Sequence, residues 1–343
     1  MYKIAKENLS ALFQLIAENQ ELYLPVKTAG QTNFAAWDQD AEVDLDTLKT
    51  VKSAKDAFFP QSEDLYTVKK EGKKMHIEPG VLKEQNFVVF GMKACDVKGV
   101  EVLDKVFLAD PVDTFYAARR EHGTIVAMAC HEPEETCFCK VFGIDAAQPA
   151  SDVAVWMVGE DLYWKALTEK GEALTEAVKE LLTDAEEAPV EAEKEAIHAI
   201  VEKLPYMNLS LDGWGGDALK EKFDSPIWEE LYKPCLACGT CTFVCPTCQC
   251  YDIKDYTAGE SVSRYRCWDS CMYSDFTMMA HGNNRTSQMQ RFRQRFMHKL
   301  VYYPANNEGM YSCVGCGRCV EKCPSALNIV KVVKAFQNQG GEK

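Results

Sequence analysis

The chain has 343 residues and 47% hydrophobic content, longer than one typical domain and rich enough to bury a sizeable core, so two domains are expected. Its formal net charge of -14 argues against a nucleic-acid partner, which would need clustered Lys and Arg to neutralise phosphates. No run approaches the roughly 18 to 20 apolar residues of a membrane-spanning helix, and the opening MYKIAKENLSALF has acidic and amide residues where an export signal is apolar, so a cytoplasmic location is expected.

An amphipathic helix is expected around residues 4 to 18, where Leu9, Leu12, Phe13 and Ile16 recur at helical spacing. Two short apolar runs, Asn86 to Gly91 (NFVVFG) and Thr124 to Ala129 (TIVAMA), read as buried strands, each followed by a segment containing cysteine. Val153 to Val158 and Leu162 to Trp164 read as a hairpin turning at Gly159-Glu160-Asp161. Residues 172 to 203 turn rich in Glu, Ala, Leu and Lys, interrupted by Asp184 to Val190, which predicts two helices joined by a polar, proline-containing loop. Residues 251 to 312 carry Arg, Met, Gln and aromatics at mixed helical spacing and read as mostly helices. The expected fold is α+β, with a mixed α/β domain over residues 1–205 followed by a mainly helical, ferredoxin-like two-cluster domain over residues 206–343.

Sixteen cysteines would suggest a disulfide scaffold in a short secreted protein. In a long chain without an export signal they point to thiolate ligation instead. Cys235, Cys238, Cys241 and Cys245 precede Pro246, and Cys313, Cys316, Cys319 and Cys323 precede Pro324, giving C-x2-C-x2-C-x3-C-P twice. The two-residue gaps let three thiolates curl around one 4Fe-4S cube, while the fourth cysteine turns toward the other cube. One cluster is therefore expected on Cys235, Cys238, Cys241 and Cys323, and a second on Cys313, Cys316, Cys319 and Cys245. Interleaved ligands would put the cubes close together, as a wire with a partner at each end. The alternatives are zinc knuckles or buried structural thiols. Gly239 and Gly317 suit the close backbone approach that cluster sulfides require.

Cys95, Cys130, Cys137 and Cys139 lie in segments that converge if the two strands end side by side, and a third 4Fe-4S cluster is expected there, with zinc or no metal as the alternatives. Cys248, Cys250, Cys267 and Cys271 match no cluster loop and read as packing around the cubes, with another metal site as the alternative. Lys254, Arg264, Arg266, Arg285, Arg291, Arg293, Arg295 and Lys299 form a basic stretch in an acidic chain, read as a solvated helix face, a docking surface for an acidic redox partner, or a counterweight to thiolate charge. Nucleotide-binding and hydrolytic fingerprints such as G-x-G-x-x-G, a Walker loop, H-E-x-x-H and G-x-S-x-G are missing from the sequence.

The chain resembles the iron-sulfur subunit shared by sulfhydrogenases, as their beta subunit, and anaerobic sulfite reductases, as their A subunit. The likeness rests on Phe90-Gly91-Met-Lys-Ala-Cys95-Asp96 with Gly99 and Leu103-Asp104, on Cys137-Phe-Cys139, on Cys245-Pro-Thr-Cys248-Gln-Cys250, on Trp268-Asp-Ser-Cys271, and on Cys313-Val-Gly-Cys316-Gly-Arg-Cys319. It spans most of the chain, apart from residues 145 to 225, which match no family motif. The twelve cysteines assigned above fall on family thiolate positions, as do Cys248, Cys250 and Cys271, whereas Cys267 stands where relatives carry arginine. The resemblance implies a subunit of an anaerobic oxidoreductase complex, without its own substrate site. It would relay electrons between a flavin subunit that handles NAD(P)H and a catalytic subunit of hydrogenase, sulfite reductase or heterodisulfide reductase type. The alternative is a self-contained iron-sulfur oxidoreductase whose N-terminal domain binds a flavin or small substrate.

Overall fold

The computed structural model describes residues 1–340. Up to residue 205 the chain forms β1 (Tyr2–Ala5), α1 (Leu9–Asn19), β2 (Glu21–Thr28), β3 (Gln31–Ala36), β4 (Ser62–Glu71), β5 (Lys74–Pro79), β6 (Phe87–Met92), α2 (Ala94–Phe107), α3 (Thr114–His122), β7 (Gly123–Met128), β8 (Val153–Val158), β9 (Asp161–Ala166), α4 (Glu169–Ala177), β10 (Thr183–Asp184) and α5 (Ala188–Val201). Beyond it come β11 (Tyr251–Ala258), β12 (Ser261–Trp268), α6 (Gln288–Met297) and α7 (Ile329–Gly340), with shorter helical turns between them.

Eight strands make one sheet in the order β10-β1-β9-β8-β7-β6-β2-β3. Its centre, β2, β6, β7 and β8, is parallel. A parallel strand is covered on both faces and so needs side chains that are apolar without alternation, as in FVVFGM of β6, buried at every position. On one face Leu12, Phe13 and Ile16 of α1 and Leu174 of α4 pack on Val88, Phe90, Val126 and Trp164. On the other, Val97, Val100, Leu103 and Phe107 of α2 and Tyr116 of α3 pack on Phe87, Val89, Ile125 and Ala127. The carboxyl ends of neighbouring parallel strands open a crevice, and Cys95 and Cys130 follow β6 and β7 there.

Residues 251–268 depart from the helical expectation. They form a hairpin, β11 and β12, turning at Gly259, whose φ of +59° suits a residue without a side chain. The hairpin extends β4 and β5 into a second sheet, ordered β11-β12-β4-β5. Tyr251 and Ile253 step at the period of a strand, and pairing with a distant strand outweighs the helical spacing of the neighbouring residues. Helix resumes at α6, whose N-terminus is closed by a capping box of Ser287 and Gln290. Phe292, Phe296 and Met297 of α6 and the following Leu300 and Val301 pack with Trp228, Val332, Val333 and Phe336.

The second sheet takes two strands from each side of residue 205, so the two halves interlock. Arg266 of β12 places its guanidinium 2.5 Å from Glu63 of β4, both side chains buried, and also reaches Asp113, while Arg119 pairs with Glu63 from α3. Trp268 joins the core beneath α2 and donates its indole N–H to Phe59 O at 3.1 Å. Any Cβ at Gly99 of α2 would meet Pro246 at 2.8 Å, which accounts for glycine at that point of the helix. Breaking one side of a buried ion pair strands the other charge, so Glu63→Gln is expected to lower unfolding stability by about 3–5 kcal/mol in denaturant titration. A loss below about 1 kcal/mol would mean that the pair does not clamp the halves.

Candidate metal centres

Cys235, Cys238, Cys241 and Cys323 wall one cavity, together with Arg295, Phe292 and Phe296. The fourth cysteine of the second run thus stands with the first three of the first run, the exchange that the C-x3-C-P spacing predicts. Gly239, at φ +74°, turns the loop into a short helix, and a side chain there would meet the Tyr273 hydroxyl at 2.6 Å. Leu327 N–H donates to Cys323 Sγ at 3.2 Å. Cys238 is exposed and Leu236 beside it is 68% exposed, so this cavity opens to the surface.

Cys245 leaves its own run. Its sulfur lies 3.3 Å from Lys299 Nζ, which also donates to Thr247 Oγ1 at 2.7 Å and to Ser312 O at 3.0 Å. Thr247 Oγ1, 3.2 Å from Cys245 Sγ, also donates to Ser312 O at 2.7 Å, which sets the last cysteine of the first run beside the segment that opens the second run at Cys313. Burial pushes the Cys313 thiol up and the Cys316 thiol up to about 12, and at Cys241 it gives about 11. Protonated thiols of this kind give up their protons on taking metal.

Cys95, Cys130, Cys137 and Cys139 line a further cavity with Lys93, Arg318 and Cys316. Cys95 sits in the first turn of α2 and Cys130 just beyond β7, so two adjacent strand ends supply half the set. The loop carrying the other two is pinned by Cys130 N–H to Ala146 O at 2.9 Å and by Phe138 N–H to Gly315 O at 2.8 Å. Burial raises Cys130 to about 11 and Cys139 to about 12. Cys316 borders this cavity, so the second and third cysteine sets adjoin. Arg318, from within the second run, forms a buried ion pair with Asp96 of α2, Nη1 to Oδ1 at 2.5 Å and Nη2 to Oδ2 at 2.8 Å.

Buried cations crowd the three sets. Lys55, Lys93, Arg295, Lys299 and Arg318 are each at most 5% exposed. Leading charge partners are Cys248 for Lys55, Cys130 for Lys93, Cys241 for Arg295, Cys245 for Lys299, and Asp96 followed by Cys316 for Arg318. A buried cation without an anion is strongly unfavourable. Even so, Lys93 Nζ and the Nε and Nη1 of Arg295 have no hydrogen-bond partner among the described residues, and both side chains line cysteine-walled cavities. Among the described residues no three His, Cys, Asp or Glu side chains gather as they would around a single metal ion. The thiols are spread over cavity walls instead, which suits a bulky, anionic, sulfur-bound group.

The basic stretch divides: Arg295 and Lys299 face thiols, Arg266 pairs with Glu63, and Arg264 pairs with Asp255 at the surface. Lys55, Lys93 and Arg318 were not singled out by the spacing arguments, although Lys93 stands two residues before Cys95 and Arg318 lies inside the second run. Of the remaining cysteines, Cys248 sits against Cys245, and Cys250 against Cys271. The hydrogen bond from Cys271 is the main reason that the Cys250 thiol is held down to about 7. Cys267 stands apart on β12, opposite Asp252, with Lys254 as its cationic neighbour.

The family model for a 4Fe-4S dicluster domain matches residues 234–327. Over 337 residues, 96% of this chain and 96% of the relative, the sequence is 31% identical to sulfhydrogenase 2 subunit beta of Pyrococcus furiosus. The chain belongs to the sulfhydrogenase beta-subunit family. No solved structure matches it. As a member of this family it is an iron-sulfur electron-transfer subunit that carries 4Fe-4S clusters and works with other subunits. Among the described residues no helix is long and apolar enough to cross a membrane.

In this beta-subunit homologue the paired change Cys137→Ser with Cys139→Ser is expected to lower the iron content by about four atoms per chain, measured on anaerobically purified protein, with the C-terminal centres intact. Unchanged iron would assign those thiols to packing alone.

Proposed function

We propose that this subunit relays single electrons through three adjoining 4Fe-4S clusters within a cytoplasmic anaerobic oxidoreductase complex. Cys235, Cys238, Cys241 and Cys323 would hold the first, Cys245, Cys313, Cys316 and Cys319 the second, and Cys95, Cys130, Cys137 and Cys139 the third. Its partners would be a flavin subunit handling NAD(P)H and a catalytic subunit of hydrogenase, sulfite reductase or heterodisulfide reductase type.

The observation that carries this reading is the exchanged cysteine. With Cys323 on the wall of the first cavity and Cys245 beside the segment that opens the second run at Cys313, the first two sets must be neighbours. Cys316 then links the second set to the third. The clusters supply one-electron transfer, with potentials set by charge, burial and hydrogen bonds to sulfur. The residues of the chain supply the rest: buried Lys and Arg offset the negative charge, and Phe292, Phe296 and Met272 wall off solvent from the first site. The exposed Cys238 and Leu236 favour that site as the place where one redox partner docks. The lack of any nucleotide fingerprint supports placing the flavin on another polypeptide.

Iron and acid-labile sulfide determined on the anaerobically purified chain are expected at about twelve each. A result of about eight removes the third cluster, and zinc alone removes the proposal. An isolated chain that kept a flavin and oxidised NADH unaided would instead support the self-contained enzyme.

A further inference from the structure

Three cations line the cavity of Cys95, Cys130, Cys137 and Cys139: Lys49, Lys93 and Arg318. Two of them are fully engaged. Lys49 Nζ lies 2.5 Å from Glu134 Oε2 and from Thr136 Oγ1, and 3.6 Å from Glu321. All three guanidinium nitrogens of Arg318 are taken, Nε by Thr50 O at 2.9 Å, and Nη1 and Nη2 by the carboxylate of Asp96, with Thr50 Oγ1 at 3.2 Å from Nη2.

Lys93 is the exception. The residue is 5% exposed, and its buried Nζ has no hydrogen-bond partner among the described residues. Its backbone is fixed. It follows β6, and its carbonyl accepts from Asp96 N–H at 2.8 Å and from Val97 N–H at 3.1 Å, which opens α2. The side chain therefore leaves a rigid strand-to-helix corner, two residues before Cys95, for the wall of the cysteine-lined cavity. Nearby carboxylates are committed elsewhere, since Asp96 is forked onto Arg318 and Asp46 is exposed. A buried ammonium with neither anion nor acceptor is strongly unfavourable, so this one calls for a group that the cavity itself receives. An iron-sulfur cube on four thiolates is anionic, and its sulfurs accept hydrogen bonds.

We propose that Lys93 is the hydrogen-bond donor to sulfur of the third cluster and so holds up that cluster's reduction potential. This rests on the third ligand set proposed above. One-electron reduction adds negative charge beside a fixed ammonium, which favours the reduced form, and in a buried cavity that attraction is little screened. Lys49 and Arg318 spend their N–H groups on protein oxygens, which leaves Lys93 as the cation whose donors the cluster completes. Lys93 does not line the cavity of the first set, so its effect falls on the third centre.

The test is a redox titration followed by EPR on the full chain purified anaerobically with its clusters, comparing wild type with Lys93→Met, and with Cys137→Ser/Cys139→Ser to identify the third centre's signal. Lys93→Met is expected to keep the wild-type iron content and to move the third centre's potential downward, by more than either of the others. An unmoved third potential with iron intact overturns the proposal, as does an equal shift of all three. Should Lys93→Met lose about four irons, Lys93→Arg decides: full iron supports a cationic donor at this place, and the same loss overturns it. Wild-type protein with iron for two cubes alone would bring down the third ligand set itself, an outcome separate from an unmoved potential in an iron-replete variant.

Discussion

The exchange of one cysteine between two distant runs is the constraint from which most of this architecture follows. Cys323 can stand with Cys235, Cys238 and Cys241 only if residues 235–245 and 313–323 lie face to face. The chain between them must then leave and return to the same place. It does so as the β11–β12 hairpin, which reaches out to β4, and as α6 with its continuation, which comes back along the cysteine sets. The returning helix brings Arg295 and Lys299 to the thiols and packs Phe292, Phe296 and Leu300 into the apolar core.

Electrostatics complete the picture. Buried lysines and arginines would be untenable in an apolar interior without anions. Here cysteine sulfurs face these cations, Asp56 and Asp96 add carboxylates near Lys55 and Lys93, and Asp96 pairs with Arg318. That pair also ties the second run to α2, so the strand-end crevice of the N-terminal sheet and the C-terminal cysteine sets share one polar seam. The same seam explains glycine at residue 317: its φ of +78° suits a glycine, and a side chain there would run into Thr136 O. Packing between the two halves is therefore close enough to bring the third cysteine set against Cys316.

Much of this was legible in the sequence because the signals are local. The spacing of Cys235 to Cys245 and Cys313 to Cys323 carries the exchange of a cysteine between the runs, and the apolar runs at residues 86–91 and 124–129 carry the buried strands β6 and β7. The helical moment of Leu9, Leu12, Phe13 and Ile16 likewise gives α1, although its first turns are instead β1 and a short 3-10 turn. What stayed hidden depends on long-range pairing. β11 and β12 gain their stability from β4, roughly two hundred residues away in sequence, as in the pairing of Arg266 with Glu63. The buried cations were hidden for a related reason. Lys55 and Lys93 look like solvated charges until the fold closes Trp268 over one, at 3.6 Å from its ring centroid, and a cysteine-walled cavity over the other.

Iron-edge anomalous diffraction from crystals of the anaerobically prepared subunit addresses the exchange most directly. The account predicts two neighbouring iron peaks in the C-terminal half, one ringed by Cys235, Cys238, Cys241 and Cys323 and the other by Cys245, Cys313, Cys316 and Cys319. Iron held by the four cysteines of a single run, or a signal at the zinc edge in its place, would contradict it.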